Sequence, residues 1–282
     1  MTIAFLGTGR MGTELALYLI KHHEVVAWNR TRPRTERVAR AGARVADSAA
    51  EAVAASDVVV TSLFGPDTVR EVVTTPGLIP AGTLWLDSTT ISPADAGQFA
   101  DWAAEHGVRY VHTPVVGTLG PARKGALGVY VGGTDPAARD EAEDIVRPWA
   151  DPTRLQQVPT AAEAATAKLL ANLALALNMQ GLVEALRLGR SQGLHPERVL
   201  DLLAGTGLAF GATLKRGQIT SEDFEDAQFT VDALAKDIRM MIRSSNDPLP
   251  ATTAALESFT TVEDAGHGEF DISAIAAAAA HH

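Results

Sequence analysis

Apolar and polar positions alternate along the first half of the chain in a rhythm of short strands and helices. Thr2–Leu6 is an apolar run that stops at Gly7. Met11, Leu15, Leu19 and Ile20 then recur at helical spacing. Glu24–Trp28 reads as a second strand and Asp57–Leu63 as a strongly β-branched third. Thr83–Asp87, Val108–His112 and Leu127–Val131 are further strands, the last ending at Gly132-Gly133. Helices fall between them. Ser48-x-x-Glu51 is a capping box, Pro66–Val73 has helical character, and Ser92 caps a helix with Pro93 first and Asp95 in its first turn. Strands alternating with helices predict an α/β, doubly wound, largely parallel sheet covered on both faces.

The rhythm changes near residue 158. Thr160-x-x-Glu163 is another capping box, and no convincing strand follows it. The segment from Ala161 to about Gln192 reads as one long helix, rich in Ala and Leu on almost every face. Such a helix must be buried all round. The preceding domain can cover one side, and a second subunit is expected to cover the rest, as a homodimer or homotetramer. Pro196–Ala204, Phe210–Gly217, Thr230–Arg243 and Pro250–Ala265 are further helices. The expected organisation is an α/β domain over 1–159 and an all-α domain over 160–276. Residues 277–282 read as an alanine run with a histidine-tag remnant, His281-His282.

Composition narrows the chemistry. With 282 residues, 46 % hydrophobic and 21 % charged, the chain can bury two cores. Its net charge of −10 repels phosphate backbones, so no nucleic-acid partner is expected. An anionic ligand would need a local cationic pocket. The absence of cysteine excludes disulfides, thiolate metal sites and a cysteine nucleophile. The eight histidines form no ligand-spaced cluster, so no catalytic metal is expected. The N-terminus has no secretory-signal pattern. The uncharged stretch Leu169–Val183 is interrupted by Asn172, Asn178 and Gln180 and is too short to span a bilayer. A cytoplasmic location without a membrane partner is expected.

Gly7-Thr8-Gly9-Arg10-Met11-Gly12 is G-x-G-x-x-G between a strand and a helix. Gly7 permits the tight turn, Gly9 lets backbone approach a pyrophosphate, and Gly12 lets the helix pack on the strand. The helix start offers N–H donors and a positive dipole end to phosphates. These features predict a dinucleotide-binding Rossmann domain. Its second strand ends at Trp28-Asn29-Arg30-Thr31, with Arg32 and Arg34 close by. A carboxylate at this point would accept from a ribose 2′-OH and repel a 2′-phosphate. Neutral Asn29 followed by Arg30 favours NADP(H), because a guanidinium fork suits a phosphate dianion. Thr31, and Leu63 at the end of the third strand, complete this candidate cofactor set.

From residue 87 onward several separate motifs accumulate. Asp87-Ser88-Thr89-Thr90-Ile91-Ser92-Pro93 resembles the D-x-S-T-x-x-P stretch of the β-hydroxyacid dehydrogenase family. That family includes 3-hydroxyisobutyrate dehydrogenase and glyoxylate/succinic semialdehyde reductases. The resemblance runs from Gly7 to Ile275 and extends to a 6-phosphogluconate dehydrogenase-like C-terminal domain. It implies that Thr90 and its neighbours lie beside the nicotinamide ribose and the substrate. Thr113-Pro114-Val115-Val116-Gly117-Thr118, with Gly120 and Gly125, resembles the family's substrate loop. There a serine and backbone N–H groups hold a carboxylate. Val116 replaces that serine and Thr118 the following glycine. Val116 cannot donate, so a less polar or differently shaped substrate is implied. His112 stands where the family commonly has an acidic residue; tuning the site and capping or packing both remain open to it.

Lys168 and Asn172, one helical turn apart, resemble the family's K-x-x-N-N motif, with Ala171 in place of the first Asn. A lysine on a buried apolar helix pays a desolvation penalty that favours its neutral form, which suits reversible proton transfer. Phe229…Lys236-Asp237 resembles the family helix whose lysine lies near the cofactor. The segment from Gly266 to Ala274 resembles the C-terminal G-x-G-x-x-D-x-S-A and reads as structural. The resemblance therefore implies an NADP(H)-dependent dehydrogenase or reductase. It would interconvert a small hydroxyacid or alcohol and its carbonyl form, with Lys168 as general acid/base. Two alternatives are an NADPH-dependent imine reductase, which shares this architecture, and a non-catalytic nucleotide-binding scaffold.

Overall fold

The computed structural model describes residues 1–280 as two compact units that divide after Lys168. The division falls inside the long helix, not at the 159/160 position expected from the sequence.

The first unit is built on a nine-stranded sheet. Its strands are β1 (Thr2–Leu6), β2 (Glu24–Trp28), β3 (Arg44–Val45), β4 (Val58–Thr61), β5 (Leu84–Asp87), β6 (Arg109–His112), β7 (Val115–Val116), β8 (Leu127–Gly132) and β9 (Ala150–Val158). The spatial order runs β3-β2-β1-β4-β5-β6, all parallel, the order of a Rossmann sheet. Beyond β6 the sheet turns. β6 and β7 both pair antiparallel with one edge of β8, and β9 pairs parallel with the other. From Ile3 onward the residues of β1, and all of β4, are buried, with Ile3, Phe5 and Val60 in one core layer and Ala4, Leu6 and Val59 in the other. Burial on both faces is why these strands are continuous apolar runs, without alternation.

Ser92 accepts from the Asp95 N–H at 3.0 Å and Asp95 returns the bond to the Ser92 N–H, the capping box expected for Pro93–Glu105. At Ser48 only half of the expected box forms: Glu51 reaches past it to the Asp47 N–H. Pro66–Val69 is helical, but Arg70–Thr74 widens into a π turn. Several elements escaped the periodicity. Asp135 caps an unanticipated helix at Pro136–Val146. β3 and β7 are two residues each, too short to carry a period. β9 is a mostly exposed edge strand with Pro152 and charged residues, which a central strand would not tolerate.

The last residue of β8 sits in a tight corner. A Cβ on Gly132 would collide with the Thr160 carbonyl oxygen and the Ala164 methyl group. The end of β8 thus packs backbone to backbone against the start of the helix Ala161–Ser191.

The second unit is helical throughout: the rest of Ala161–Ser191, then Pro196–Leu202, Ala209–Ser221, Val231–Ser244 and Pro250–Asp264, closing on Ile272–Ala276 and Ala277–Ala280. Its core gathers Met179, Leu182, Val183, Leu234, Ile238, Phe259 and Ile275. Ala276 and Ala279, at the end of the chain where a tag remnant was expected from 277, are buried in the same core; His281-His282 lie outside the described residues. The long helix is not enclosed all round, since Leu170 and Leu188 are exposed. At 31 residues it is long and apolar enough to cross a membrane by length and composition, unlike the shorter uncharged stretch within it. Ala176, Met179, Leu182, Val183 and Leu186 spend that hydrophobicity on the core of this unit.

The core is pinned by an ion pair without solvent contact. Lys215 Nζ lies 2.8 Å from Asp271 Oδ2. Asp271 also accepts from the Gln228 N–H at 2.9 Å and from the Ser273 N–H and hydroxyl at 3.0 and 2.7 Å. Burial pushes the Asp271 carboxyl up, but Lys215 and the Ser273 hydrogen bonds outweigh it and hold the group below the usual range.

Candidate active site

The glycine loop joins β1 to the helix Arg10–Leu19. Gly7 has φ +103°, which favours glycine, and a Cβ there or at Gly12 would collide with backbone oxygens of Ser62 or Gly7. Around Gly9, by contrast, a Cβ would meet nothing within 4 Å. No side chain caps this helix start and no acidic residue occupies its first turn, which Arg10 and Met11 begin. The Thr8 hydroxyl is buried without a hydrogen-bond partner among the described residues. An open cradle at a helix N-terminus, beside an unsatisfied hydroxyl, fits a dinucleotide pyrophosphate.

The neighbouring strand ends are tied to this loop. The Thr8 N–H donates to Asn29 Oδ1 at 3.1 Å, and Asn29 Nδ2 donates to the Thr31 carbonyl at 3.0 Å. Asn29 therefore locks the end of β2 to the glycine loop. Arg30 is exposed and only loosely paired, 3.7 Å from Glu71, while Arg32 is engaged by Asp47. On the other side the Leu63 N–H donates to Thr89 Oγ1 at 3.0 Å, joining the ends of β4 and β5 next to half-buried Thr90. Hydrogen bonds thus tie Asn29 to Thr8 and Leu63 to Thr89, and the Leu63 side chain lies against Gly7 of the loop.

Beneath that rim Asp87 and His112, each noted in the sequence, join Thr61 and Tyr110 in a polar cluster that the sequence did not bring together. Asp87, at the end of β5, accepts from the Thr61 hydroxyl at 2.7 Å, the Thr89 N–H at 3.0 Å and the Tyr110 hydroxyl at 3.3 Å. Full burial pushes its carboxyl up to about 6, against these hydrogen bonds. Tyr110 is pushed up by burial and by Asp87. His112 has no exposed surface, and neither ring nitrogen has a hydrogen-bond partner among the described residues, the nearest carboxylate oxygen being Asp87 Oδ2, 3.8 Å from Nδ1. Burial lowers it to about 3, which favours the neutral ring.

The segment resembling a substrate loop leaves β7 at Val116, which is half-buried. Gly117 follows with φ +142°, and a Cβ there would press on Leu127 at 2.7 Å. Thr118 is buried and precedes the short helix Leu119–Arg123. Gly125, with φ +62°, closes the segment.

Lys168 and Asn172 lie one turn apart on the long helix, 6 % and 4 % exposed. In the second unit, Asn172 Nδ2 donates to Asp237 Oδ2 at 2.7 Å, and Lys236 Nζ donates to Asp237 Oδ1 at 2.6 Å. Lys236 and Asp237 both sit on the helix Val231–Ser244, which Thr230 caps. The bond to a carboxylate fixes the Asn172 amide with its NH2 toward Asp237. Asp237 was legible only as the neighbour of Lys236; its role as the shared acceptor needs the tertiary structure.

The chain matches known proteins along nearly its whole length. A family model described as the NAD binding domain of 6-phosphogluconate dehydrogenase matches residues 2–158. Another, described as the NAD-binding domain of NADP-dependent 3-hydroxyisobutyrate dehydrogenase, matches 162–279. The 2-(hydroxymethyl)glutarate dehydrogenase of Eubacterium barkeri is 31 % identical over 97 % of this chain and 93 % of its own. Among solved structures, Mycobacterium tuberculosis 3-hydroxyisobutyrate dehydrogenase with L-serine is 27 % identical, with a TM-score of 0.84 over 98 % of this chain and 97 % of its own. Psf3, in complex with NADP+ and 2-OPP, is 25 % identical, with a TM-score of 0.87 over 98 % and 99 %. An imine reductase from Myxococcus stipitatus is more distant, at 20 % identity and a TM-score of 0.68, and shares the fold alone. Matches that run nearly end to end show that the chain belongs to the β-hydroxyacid dehydrogenase family of NAD(P)-dependent oxidoreductases acting on small molecules.

Proposed function

We propose that this chain is an NADP(H)-dependent dehydrogenase or reductase that interconverts a small hydroxyacid or alcohol and its carbonyl form. The observation that carries the reading is the buried Lys168–Asn172 pair on one helix face, with the Asn172 amide oriented by Asp237. The nicotinamide, when bound, supplies or accepts the hydride at the substrate carbon. The backbone around Gly9 takes the pyrophosphate, and Arg30 the 2′-phosphate, which neutral Asn29 does not repel. Thr90 and its neighbours orient the nicotinamide ribose.

In the reducing direction the Lys168 ammonium gives a proton to the carbonyl oxygen as negative charge develops there; in oxidation, neutral Lys168 takes the hydroxyl proton. Asn172 holds the same oxygen in place. Backbone at Gly117 and Thr118 receives the far end of the substrate. Val116 makes that end less polar than the family's serine would. Two relatives support the hydroxyacid class: L-serine, bound to the mycobacterial enzyme, is a 3-hydroxy acid, and the Eubacterium enzyme is named for a hydroxymethyl diacid. A homodimer or homotetramer in the cytoplasm completes the proposal; exposed Leu170, Leu188 and Phe210 support the assembly.

The test is hydride transfer by Lys168→Ala across a panel of carbonyl compounds, hydroxyacids and one cyclic imine, with NADPH and NADH in parallel. Loss of about a hundredfold or more in kcat with intact cofactor binding is expected of a general acid/base. Near-normal turnover would sink the assignment. Turnover of the imine alone would move the chain to imine reduction.

A further inference from the structure

Glu14 lies on the first helix, five residues beyond Gly9, with its side chain only 5 % exposed. Two arginines from different parts of the fold share its carboxylate. Arg37 donates from Nη1 at 2.9 Å and from Nη2 at 3.3 Å, and Arg123 donates from Nε at 3.2 Å. Burial pushes the Glu14 carboxyl up, but the two guanidinium groups outweigh it and hold it below its ordinary value.

The positions of these arginines matter. Arg37 belongs to the short helix Glu36–Arg40, which follows directly on the arginine-bearing segment Arg30–Arg34 at the end of β2. Arg123 ends the helix Leu119–Arg123 in the segment between Gly117 and Gly125. The Tyr18 hydroxyl, also from the first helix, donates to the Arg123 carbonyl at 2.9 Å. That segment is thus held at one residue by two side chains of the cofactor helix. Both guanidinium groups are about half exposed, and neither makes another side-chain hydrogen bond among the described residues. Two cations compete for one anion, so drawing either away leaves the carboxylate to the other.

We infer that Glu14 is a positioning residue that couples the nucleotide end of the site to the substrate segment. A 2′-phosphate arriving beside the β2 arginines attracts Arg37 and competes with Glu14 for it. Glu14 is then left to Arg123, and the segment between Gly117 and Gly125 is held more firmly. The relation is reciprocal: whatever strengthens the Glu14–Arg37 pair weakens binding of the 2′-phosphate. This inference rests on the NADP(H) reading.

The experiment measures dissociation constants for NADPH and NADH, by cofactor fluorescence, in wild type, Arg123→Met, Glu14→Gln and the double variant. Arg123→Met leaves Glu14 wholly to Arg37, so NADPH binding weakens about threefold or more while NADH is unchanged, a size expected for half-exposed ion pairs. In the Glu14→Gln background, Arg123→Met changes neither constant. Arg123→Lys, which keeps the cation, restores the wild-type NADPH value. Equal effects on both cofactors, no effect on either, or an effect that persists without Glu14 overturns the coupling alone. Should Arg123→Met fail to fold, Glu14→Gln decides, because it frees Arg37: NADPH binding at or above wild-type strength is expected, and weaker binding overturns the proposal. Wild type binding NADH more tightly than NADPH overturns the cofactor assignment and the coupling with it.

Discussion

Asp87 Oδ2 and His112 Nδ1 face each other across 3.8 Å at the ends of adjacent strands, and neither side chain touches solvent. Folding removes both from water, and burial moves both toward their neutral forms. The Asp87 carboxyl, raised from 3.8 to about 6, contributes stability that is present below 3.8 and lost as pH rises through about 6. His112, lowered from 6.5 to about 3, contributes stability that is present above 6.5 and lost as pH falls through about 3. Between about pH 4 and 6 the two run in opposite directions and nearly cancel. Urea midpoints of wild type are therefore expected to be flat in this window as far as this pair is concerned. His112→Leu exposes the Asp87 effect, and stability falls as pH rises. Asp87→Asn exposes the His112 effect, and stability rises with pH. Each slope approaches about 1.4 kcal/mol per pH unit, the value for one proton. Parallel slopes in the two variants would contradict the opposing pair.

Asn29 is expected to act as a single-residue switch for the proposed cofactor. Its Oδ1 accepts from the Thr8 N–H, a role that a carboxylate oxygen also fills. Asn29→Asp keeps that acceptor while placing a negative charge where a 2′-phosphate would sit. The ratio of NADPH to NADH affinity is expected to fall about tenfold or more, equivalent to about 1.4 kcal/mol. Binding titrations with both cofactors measure it, and an unchanged ratio counts against Arg30 and its neighbours as the phosphate site.

Asp237 holds two side chains at once, and the consequences separate. Asp237→Asn releases the Asn172 amide and Lys236 together, and kcat is expected to fall about tenfold or more. Lys236→Met leaves the Asn172–Asp237 bond in place and costs less in kcat. Steady-state kinetics of both variants check this order; a larger loss in Lys236→Met would reverse it.

Lys215 and Asp271 make the second unit vulnerable at one point. Lys215→Met leaves a buried carboxylate with no cation, and a loss of about 3–5 kcal/mol in unfolding free energy is expected. Adding Asp271→Asn to that variant recovers part of the loss, because the stranded charge is gone. Chemical denaturation of the single and double variants reads the difference.

The nucleotide end was legible because each feature is local. Gly7, Gly9 and Gly12 are spaced within two turns of chain, and Asn29 and Arg30 follow directly on a strand. Ser92, Pro93 and Asp95 marked a helix start that the structure builds as expected. The unread features join distant parts of the chain. Asp87 meets Tyr110 across neighbouring strands, Asn172 meets Asp237 across two helices, and Glu14 meets Arg123 across 109 residues of sequence. No spacing rule links such pairs. β9 was hidden for another reason: an exposed edge strand carries the polar pattern of a loop, and its strand character comes from pairing with β8.

Gly132 gives the long helix a backstop. Its missing side chain lets β8 touch Thr160 and Ala164, and Lys168 follows Ala164 by one turn on the same face. The start of the helix that carries the proposed proton donor is therefore seated on a strand residue that lies outside the proposed chemistry. Adding a single methyl group at Gly132 would work as a wedge, shifting the lysine without altering its chemistry. A residue of the sheet, with no part in the proposed proton transfer, thereby takes a share in placing the helix turn that leads to Lys168.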